Sequence, residues 1–545
     1  MDICLEARKA AEDFLQGEKE YQMGYIEAED VNEITKNMSG CFKESITEGL
    51  KLLISCDEHL IKSFKEALES DNYKKLKNKI KDTLTKGGKI YLSGCGSSGR
   101  LCMRVEASFR KAAKKLAPTL ENSIETIMTG GDFAIIRAVE SFEDYIALGK
   151  LQAQKCGVSE NDLLIGVTAT GETTSILGTA IGALEAGAEV FMVVCSDPCP
   201  LINKMERVRA VYTSEKTSVL LLNSGKMALT GSTRMQSSTI EQVVLCAALE
   251  EILRELSGKE LPNLAFGFER AVLSMKNESY LECMAEELAT EEELIRGGGF
   301  VTYFANEYVL DILTDTTERA PTFNSIKFRP NKRQDLPLSF EFVKNPDLDT
   351  KDVWRHCLGR APRCLNWGTE EYKNCGIALK EPPEIDLEAL YEYEIGREKD
   401  AEREAADSLA VWVGLDSSES FPSASAGYKE TRVMLKPEAI ASLEIMPTCL
   451  DIFEHAVMKM TLNNISTGTM ARVGKILGNY MICLNISNKK LIDRAARIIS
   501  LFTKLEYTDA LYELFYSKFF MEANSITGSP VEFTVKRIKG DLSGS

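Results

Sequence analysis

The sequence predicts an α/β protein: two tandem lobes, each a parallel sheet covered by helices, with helical segments at both ends of the chain. Residues 86 to about 256 alternate short apolar runs with helical patterns, which argues for a parallel sheet covered on both faces. Residues 257 to about 455 repeat that plan less clearly. A chain of 545 residues is also too long for a single core. The expected divisions are a helical arm over 1–45, a first lobe over 46–256, a second lobe over 257–455 and a helical segment over 456–545.

Composition removes several classes of function. A net charge of −17 argues against nucleic acid or an anionic membrane as partner. There is no apolar run of about 18 residues, so no transmembrane helix is expected. The start, MDICLEARKAAEDF, lacks a signal-peptide core. Fifteen cysteines in such a chain read as reduced thiols of a cytoplasmic protein. The three histidines, His59, His356 and His455, are far apart, and Cys195 with Cys199 lacks a second pair to complete a zinc site. No metal and no cofactor is expected.

Residues 1 to about 85 read as helical, with apolar residues at helical spacing between Val31 and Leu68. Ile90, Tyr91 and Leu92 then form a buried strand, Gly94 to Gly99 a glycine-serine turn, and Leu101, Val105, Phe109, Ala112 and Leu116 the apolar face of a helix. Strand, small-residue turn and helix N-terminus together aim N–H donors and partial positive charge at one spot, a place for a phosphate. A second strand is expected over Ile124–Met128, and a helix over Ala134–Tyr145 carrying Glu140, Glu143 and Asp144. A third strand, Leu163–Val167, runs into a hydroxyl-rich turn, Thr168 to Thr174, then a helix to Ala186 and a fourth strand, Glu189–Val194. Open α/β sheets bind ligands beyond the carboxyl ends of their strands, so the two turns can converge on one anion.

ALTGSTRMQSSTIEQVVLC, from Ala228, opens with Ser and Thr and becomes a helix; an N-cap and a ligand contact both remain open for it. In the second lobe, Gly297 to Gly299 precede a strand, Phe300–Phe304. The turn after it, Ala305, Asn306, Glu307 and Tyr308, has no glycine, and Glu307 would repel an anion. Lys380 to Gly427 is acidic, and SESFPSASAG from Ser418 reads as a surface loop. From about Asp451 the chain is helical, and Ser487 to Lys490 open or punctuate a helix with two lysines, a solvated pair or a cation for phosphate.

Gly94, Gly96 and Gly99 spell G-x-G-x-x-G, so a dinucleotide is a rival ligand. The strand that should end in a ribose-binding acid ends instead in Met128, Thr129 and Gly130. A serine nucleophile wants G-x-S-x-G and a histidine, and Gly96-Ser97-Ser98-Gly99 misses that spacing. Serines within the turn, and the second T-x-T-G-x-T turn, favour a phosphorylated small molecule.

The two turns resemble those of SIS (sugar isomerase) domains. GCGSSGRL, MTGGDFAIIRAVESFED, LTGSTRM and the C-terminal STG…GKILGN…ISNKKLIDRA are similar to the family of N-acetylmuramic acid 6-phosphate etherase and glucokinase regulatory protein. The resemblance covers about residues 45 to 320 and 450 to 505. It implies two SIS-type, flavodoxin-like αβα lobes forming an internal pseudo-dimer in a monomer. It also implies a phosphosugar site of Ser97 and Ser98, Thr168, Ala169 and Thr170, Glu140 and Glu143, and Lys490. Glu143 falls on the etherase's general base. The etherase's acid position on the helix after the first turn is Ser108 here, whereas Asp315-Thr316-Thr317-Glu318 before Pro321-Thr322-Phe323 looks like that acid motif in lobe two. Gln236 replaces a lysine of the etherase pattern.

Three functions follow from the resemblance. Foremost is a non-catalytic regulator that senses fructose phosphates and binds a sugar kinase, motivated by the duplicated lobes and Ser108. The alternative is an etherase releasing D-lactate, with Glu143 and Glu318 as base and acid. The third, a phosphosugar isomerase, lacks a histidine near the site.

Overall fold

The computed structural model describes residues 2–22, 24, 26–139, 142–416 and 427–540. The loop expected over Ser418 to Gly427 and the candidate Glu140 fall outside the described residues, apart from Gly427. Two parallel sheets organise the chain. The first runs in the order β2-β1-β3-β4-β5, with β1 Ile90–Gly94, β2 Ile124–Met128, β3 Leu163–Thr168, β4 Glu189–Val194 and β5 Thr217–Leu221. The second runs β7-β6-β8-β9, with β6 Phe300–Phe304, β7 Glu341–Lys344, β8 Ser408–Trp412 and β9 Glu430–Val433. Each lobe's first strand is flanked by its second and third, which is the flavodoxin-like order, one strand shorter in lobe two.

That order creates a switch point between β1 and β3, where the chain leaves the sheet in opposite directions and opens a crevice. The register sets Ile90 beside both Ile124 and Leu163, so the ends of β1 and β3 lie at one level. Every residue of β1 and β3 is buried, as befits a parallel strand covered on both faces.

The helix Gly96–Leu116 starts two residues after β1, so Gly96, Ser97, Ser98 and Gly99 occupy its first turn. The three glycines of the motif have separate reasons. A Cβ on Gly99 would lie 2.0 Å from the sulfur of Met128, and one on Gly94 would lie 2.6 Å from Gly99. Gly96 has φ +54°, a left-handed conformation that glycine adopts without strain.

Ala134–Tyr145 does not form the expected helix. Among the described residues, a 3-10 turn, Asp132–Ile135, stands at its start, and the next α-helix begins at Ile146. The carbonyls a helix would use are taken elsewhere: Arg100 donates to the oxygen of Ala134, at 2.8 Å, and Thr317 to that of Ile135, at 2.7 Å. Side chains from the turn helix and from lobe two thus take the place of the intrahelical N–H donors. The other expected strands and helices are present, and the arm over 1–45 contains the helices Ile3–Gly17 and Met38–Glu44. A long helix, Ile452–Arg472, passes between the lobes and crosses the expected boundary at 455. No helix among the described residues is long and apolar enough to cross a membrane.

The stretch 325–445, which resembles nothing in the family pattern, supplies cross-lobe clamps. Arg360 and Arg363 both bond the carboxylate of Glu106, buried on the turn helix, at 2.7–3.1 Å. Burial opposes the charge on Glu106, but the two arginines outweigh it and hold the carboxyl at about 2. Arg360 also pairs with Asp132 at 2.5 Å, and the N–H of Asp132 bonds the carbonyl of Arg363 at 3.0 Å.

The helices Ile146–Lys155 and Thr174–Glu185 touch backbone to backbone, because a Cβ on Gly149 would meet the Ser175 carbonyl at 1.9 Å and one on Gly178 that of Ile146 at 2.2 Å. This contact seats Glu143, whose carbonyl accepts the Ser175 N–H at 2.9 Å. Gly149→Ala or Gly178→Ala is expected to cost about 1–3 kcal/mol by overpacking, with the double variant less than additive. The midpoint of urea unfolding measures both effects.

Candidate functional site

The crevice at the β1–β3 switch point is a cleft partly open to solvent. Its floor is the turn after β1, with Ser97 and Ser98, and the turn after β3, with Ala169, Thr170 and Thr173. Glu143 and Lys490 form one wall, and Glu318 reaches in from lobe two. Among the described candidates, only Thr168 does not line the cleft: it ends β3 and its hydroxyl is spent on Thr173 at 2.8 Å.

Lys490 reaches Glu143 with Nζ 2.5 Å from Oε1, and Asn488 donates to the other oxygen at 3.1 Å. Asn488 also caps the helix Lys489–Thr503 by accepting the Leu491 N–H at 2.9 Å, so one side chain fixes both the helix start and the carboxylate. Burial opposes the charge on Lys490, but Glu143 and Glu172 keep it protonated. The lysine is therefore a half-buried cation at the cleft wall, paired with Glu143. Its neighbour Lys489 instead pairs with Glu18 of the N-terminal arm at 2.9 Å.

Glu318, on the lobe-two helix Val309–Phe323, pairs with Arg100 on the first-turn helix of lobe one. Arg100 is fully buried, and the Glu318 carboxylate sits 3.7 Å from where a Cβ of Gly96 would be. The segment from Ala228 does reach the cleft: Gly231, Ser232, Thr233 and Arg234 line it. Arg234 bonds Asp315 at 2.5 Å, Asn463 and Ser466 at 3.1 Å and Thr467 at 2.9 Å, joining both lobes to the long central helix. The Nε atoms of Arg100 and Arg234 are buried donors without a protein partner. Gln236 stays out of the cleft; it bridges the Ala228 N–H, at 2.8 Å, and Asp57, at 2.7 Å.

Arg100, Arg234, Asn488 and Arg494 were not among the residues chosen from sequence. Each stands inside a motif quoted above, but their burial is a tertiary fact.

The counterpart in lobe two is occupied by its own charges. Glu307 pairs with Lys111 of lobe one at 2.8 Å and with His356 at 3.5 Å. The hydrogen bond to His356, then that to Lys111, holds the Glu307 carboxyl below the ordinary carboxylate range. Ser108 accepts from Arg104 at 3.2 Å, and Asp311 of lobe two, 4.0 Å from Arg104, bonds His455 at 2.9 Å. A carboxylate thus stands in lobe two where lobe one presents donors.

The comparisons with known proteins bear on the first lobe. Residues 71–183 match the family model of the glucokinase regulatory protein N-terminal SIS domain. That stretch holds β1 to β3 and both turns of the cleft. The N-acetylmuramic acid 6-phosphate etherase of Yersinia pestis strain Pestoides F is 30% identical over 167 residues, 30% of this chain and 50% of that protein. N-acetylmuramic acid 6-phosphate etherase 1 of Bacillus licheniformis is 29% identical over 163 residues, 30% of this chain and 49% of the relative. The chain thus spans about half the length of the curated relatives it matches. Among solved structures, the tagatose-6-phosphate ketose/aldose isomerase of Escherichia coli aligns at TM-score 0.39 and 11% identity, over 79% of this chain and 93% of that one. The C-terminal domain of glucosamine-fructose-6-phosphate aminotransferase from Francisella tularensis aligns at TM-score 0.39 and 10% identity, over 77% and 96%.

Glu318→Gln removes the counter-charge of a fully buried arginine, and the expected loss is about 3–5 kcal/mol. Denaturant unfolding followed by circular dichroism measures it. Lys489→Ala, at a half-exposed pair, is expected to change stability by less than about 1 kcal/mol.

Proposed function

We propose that the cleft binds a sugar phosphate and that Glu143 and Glu318 carry out an elimination of the type named by the etherase relatives. The observation that carries this reading is the convergence of two carboxylates, from different lobes, on one cleft floored by two hydroxyl-rich turns. Backbone N–H groups of the first helical turn, with Ser97 and Ser98, are the donors for the phosphate. Ether cleavage by elimination needs one group to take the proton beside the carbonyl-derived carbon and another to protonate the departing lactate oxygen. Glu143 takes the first role and Glu318 the second. An incoming phosphate competes for Lys490 and Arg100, the cations that engage these carboxylates in the free protein.

A second reading is favoured by those same ion pairs and by Ser108. With both carboxylates engaged, and a serine where the etherase helix carries its acid, the cleft serves as a sensor of sugar phosphates, and a sugar kinase is the partner that the regulatory-protein family suggests. The lobes would then report occupancy through Glu318.

One assay separates the two. Incubation with N-acetylmuramic acid 6-phosphate is expected to release D-lactate, with loss of at least a hundredfold in rate in Glu143→Gln. Absence of lactate, together with a rise in melting temperature on adding fructose 6-phosphate or fructose 1-phosphate, gives the sensor instead.

A further inference from the structure

Behind the cleft, the Ser98 hydroxyl does not stand alone. Its Oγ lies 3.2 Å from Oε2 of Glu241, on the helix Gln236–Leu256. Ser98 lines the cleft with only 6% of its surface exposed, and Glu241 has none exposed. The other oxygen of Glu241 faces the thiol of Cys195 at 3.8 Å. No cation touches this carboxyl among the described residues. The ammonium of Lys459, the nearby charge, is spent on the carbonyls of Arg234 and Met235 and the hydroxyl of Thr239.

A serine hydroxyl has one proton to give. If Glu241 is ionised, Ser98 donates that proton backwards, and its lone pairs and a buried negative charge face an arriving phosphate. If Glu241 is protonated, its O–H donates to Ser98 Oγ and the serine proton is free to point into the cleft. Resting on the phosphosugar reading, we infer that Glu241 is a positioning residue that, as the neutral acid, sets Ser98 to donate to the ligand's phosphate.

Burial supports the neutral form, pushing the Glu241 carboxyl up to about 8 against the pull of Ser98, Cys195 and Lys459. The other titratable groups facing it leave that window clear or are separable. Cys195 and Cys102 are driven well above the ordinary thiol range by burial and then by Glu241 itself. Lys459 is brought down to about 7 by burial, and the Glu241→Gln variant below separates its titration from that of Glu241. Phosphate binding and protonation of Glu241 are then linked: each strengthens the other.

The test is calorimetric titration of the full chain with fructose 6-phosphate and with N-acetylmuramic acid 6-phosphate between pH 6.5 and 9.5. Affinity of the wild type is expected to fall about thirtyfold from pH 7 to 9.5 as the proton is lost. At pH 9, paired buffers of different ionisation enthalpy should register uptake of about one proton per ligand bound. Glu241→Gln keeps a neutral donor beside Ser98; it should bind within about threefold of wild type at pH 7, hold that affinity to pH 9.5 and abolish the proton uptake. Glu241→Leu, lacking the donor, should bind about tenfold more weakly at every pH. A wild type that binds with a flat pH profile and no proton uptake overturns the inference alone. A Glu241→Gln variant that declines as the wild type does assigns the effect to Lys459 and also overturns it. Binding of neither sugar phosphate at pH 7 removes the phosphosugar reading, and this inference with it.

Discussion

The ion pair between Arg100 and Glu318 is the contact on which the cleft depends. Arg100 is fully buried one helical turn beyond the anion-binding turn, and a guanidinium there requires a counter-charge. Among the described residues, lobe one supplies none at that point; the carboxylate comes from lobe two. Around it stand two more cross-lobe charge sets, Glu106 with Arg360 and Arg363, and Arg234 with Asp315. Such pairs add little over an apolar interface but are expensive to break once formed. They fix how the lobes meet more than how strongly, so the cleft has one geometry.

The two lobes use one strand order and reach opposite outcomes at its switch point. In lobe one the crevice keeps its donors and a volume for a ligand. In lobe two, Glu307 fills the corresponding position and draws Lys111 and His356 onto itself. Where lobe one has a glycine-serine turn, lobe two has a glutamate held in an interlobe salt bridge. Lobe two contributes the carboxylate of Glu318 to the lining of the other lobe's cleft.

The reach of the sequence differed from residue to residue. The turn after β1, the hydroxyl-rich turn after β3 and their N-terminal helices were legible because glycines, small hydroxyls and apolar periodicity are local signals. Glu143, Glu318 and Lys490 were legible through motif resemblance, and the structure brings them to one cleft. Thr168 was chosen from its turn, yet its hydroxyl is turned inward to Thr173. The helix expected over Ala134–Tyr145 failed because its carbonyls serve Arg100 and Thr317, partners distant in sequence. The 325–445 stretch offered no motif, and its role emerges only as Arg360 and Arg363 closing on Glu106.

The sequence by itself determined the α/β class, the doubled lobe and the chemistry of the two turns, because strand and helix periods and glycine placement are written locally. Tertiary structure alone decided which charges meet: that Arg100 is buried against Glu318, that Lys490 is a cation in the wall rather than on the surface, and that Glu241 stands behind Ser98. Burial and long-range pairing set those charges, and neither is a property of any local stretch of chain.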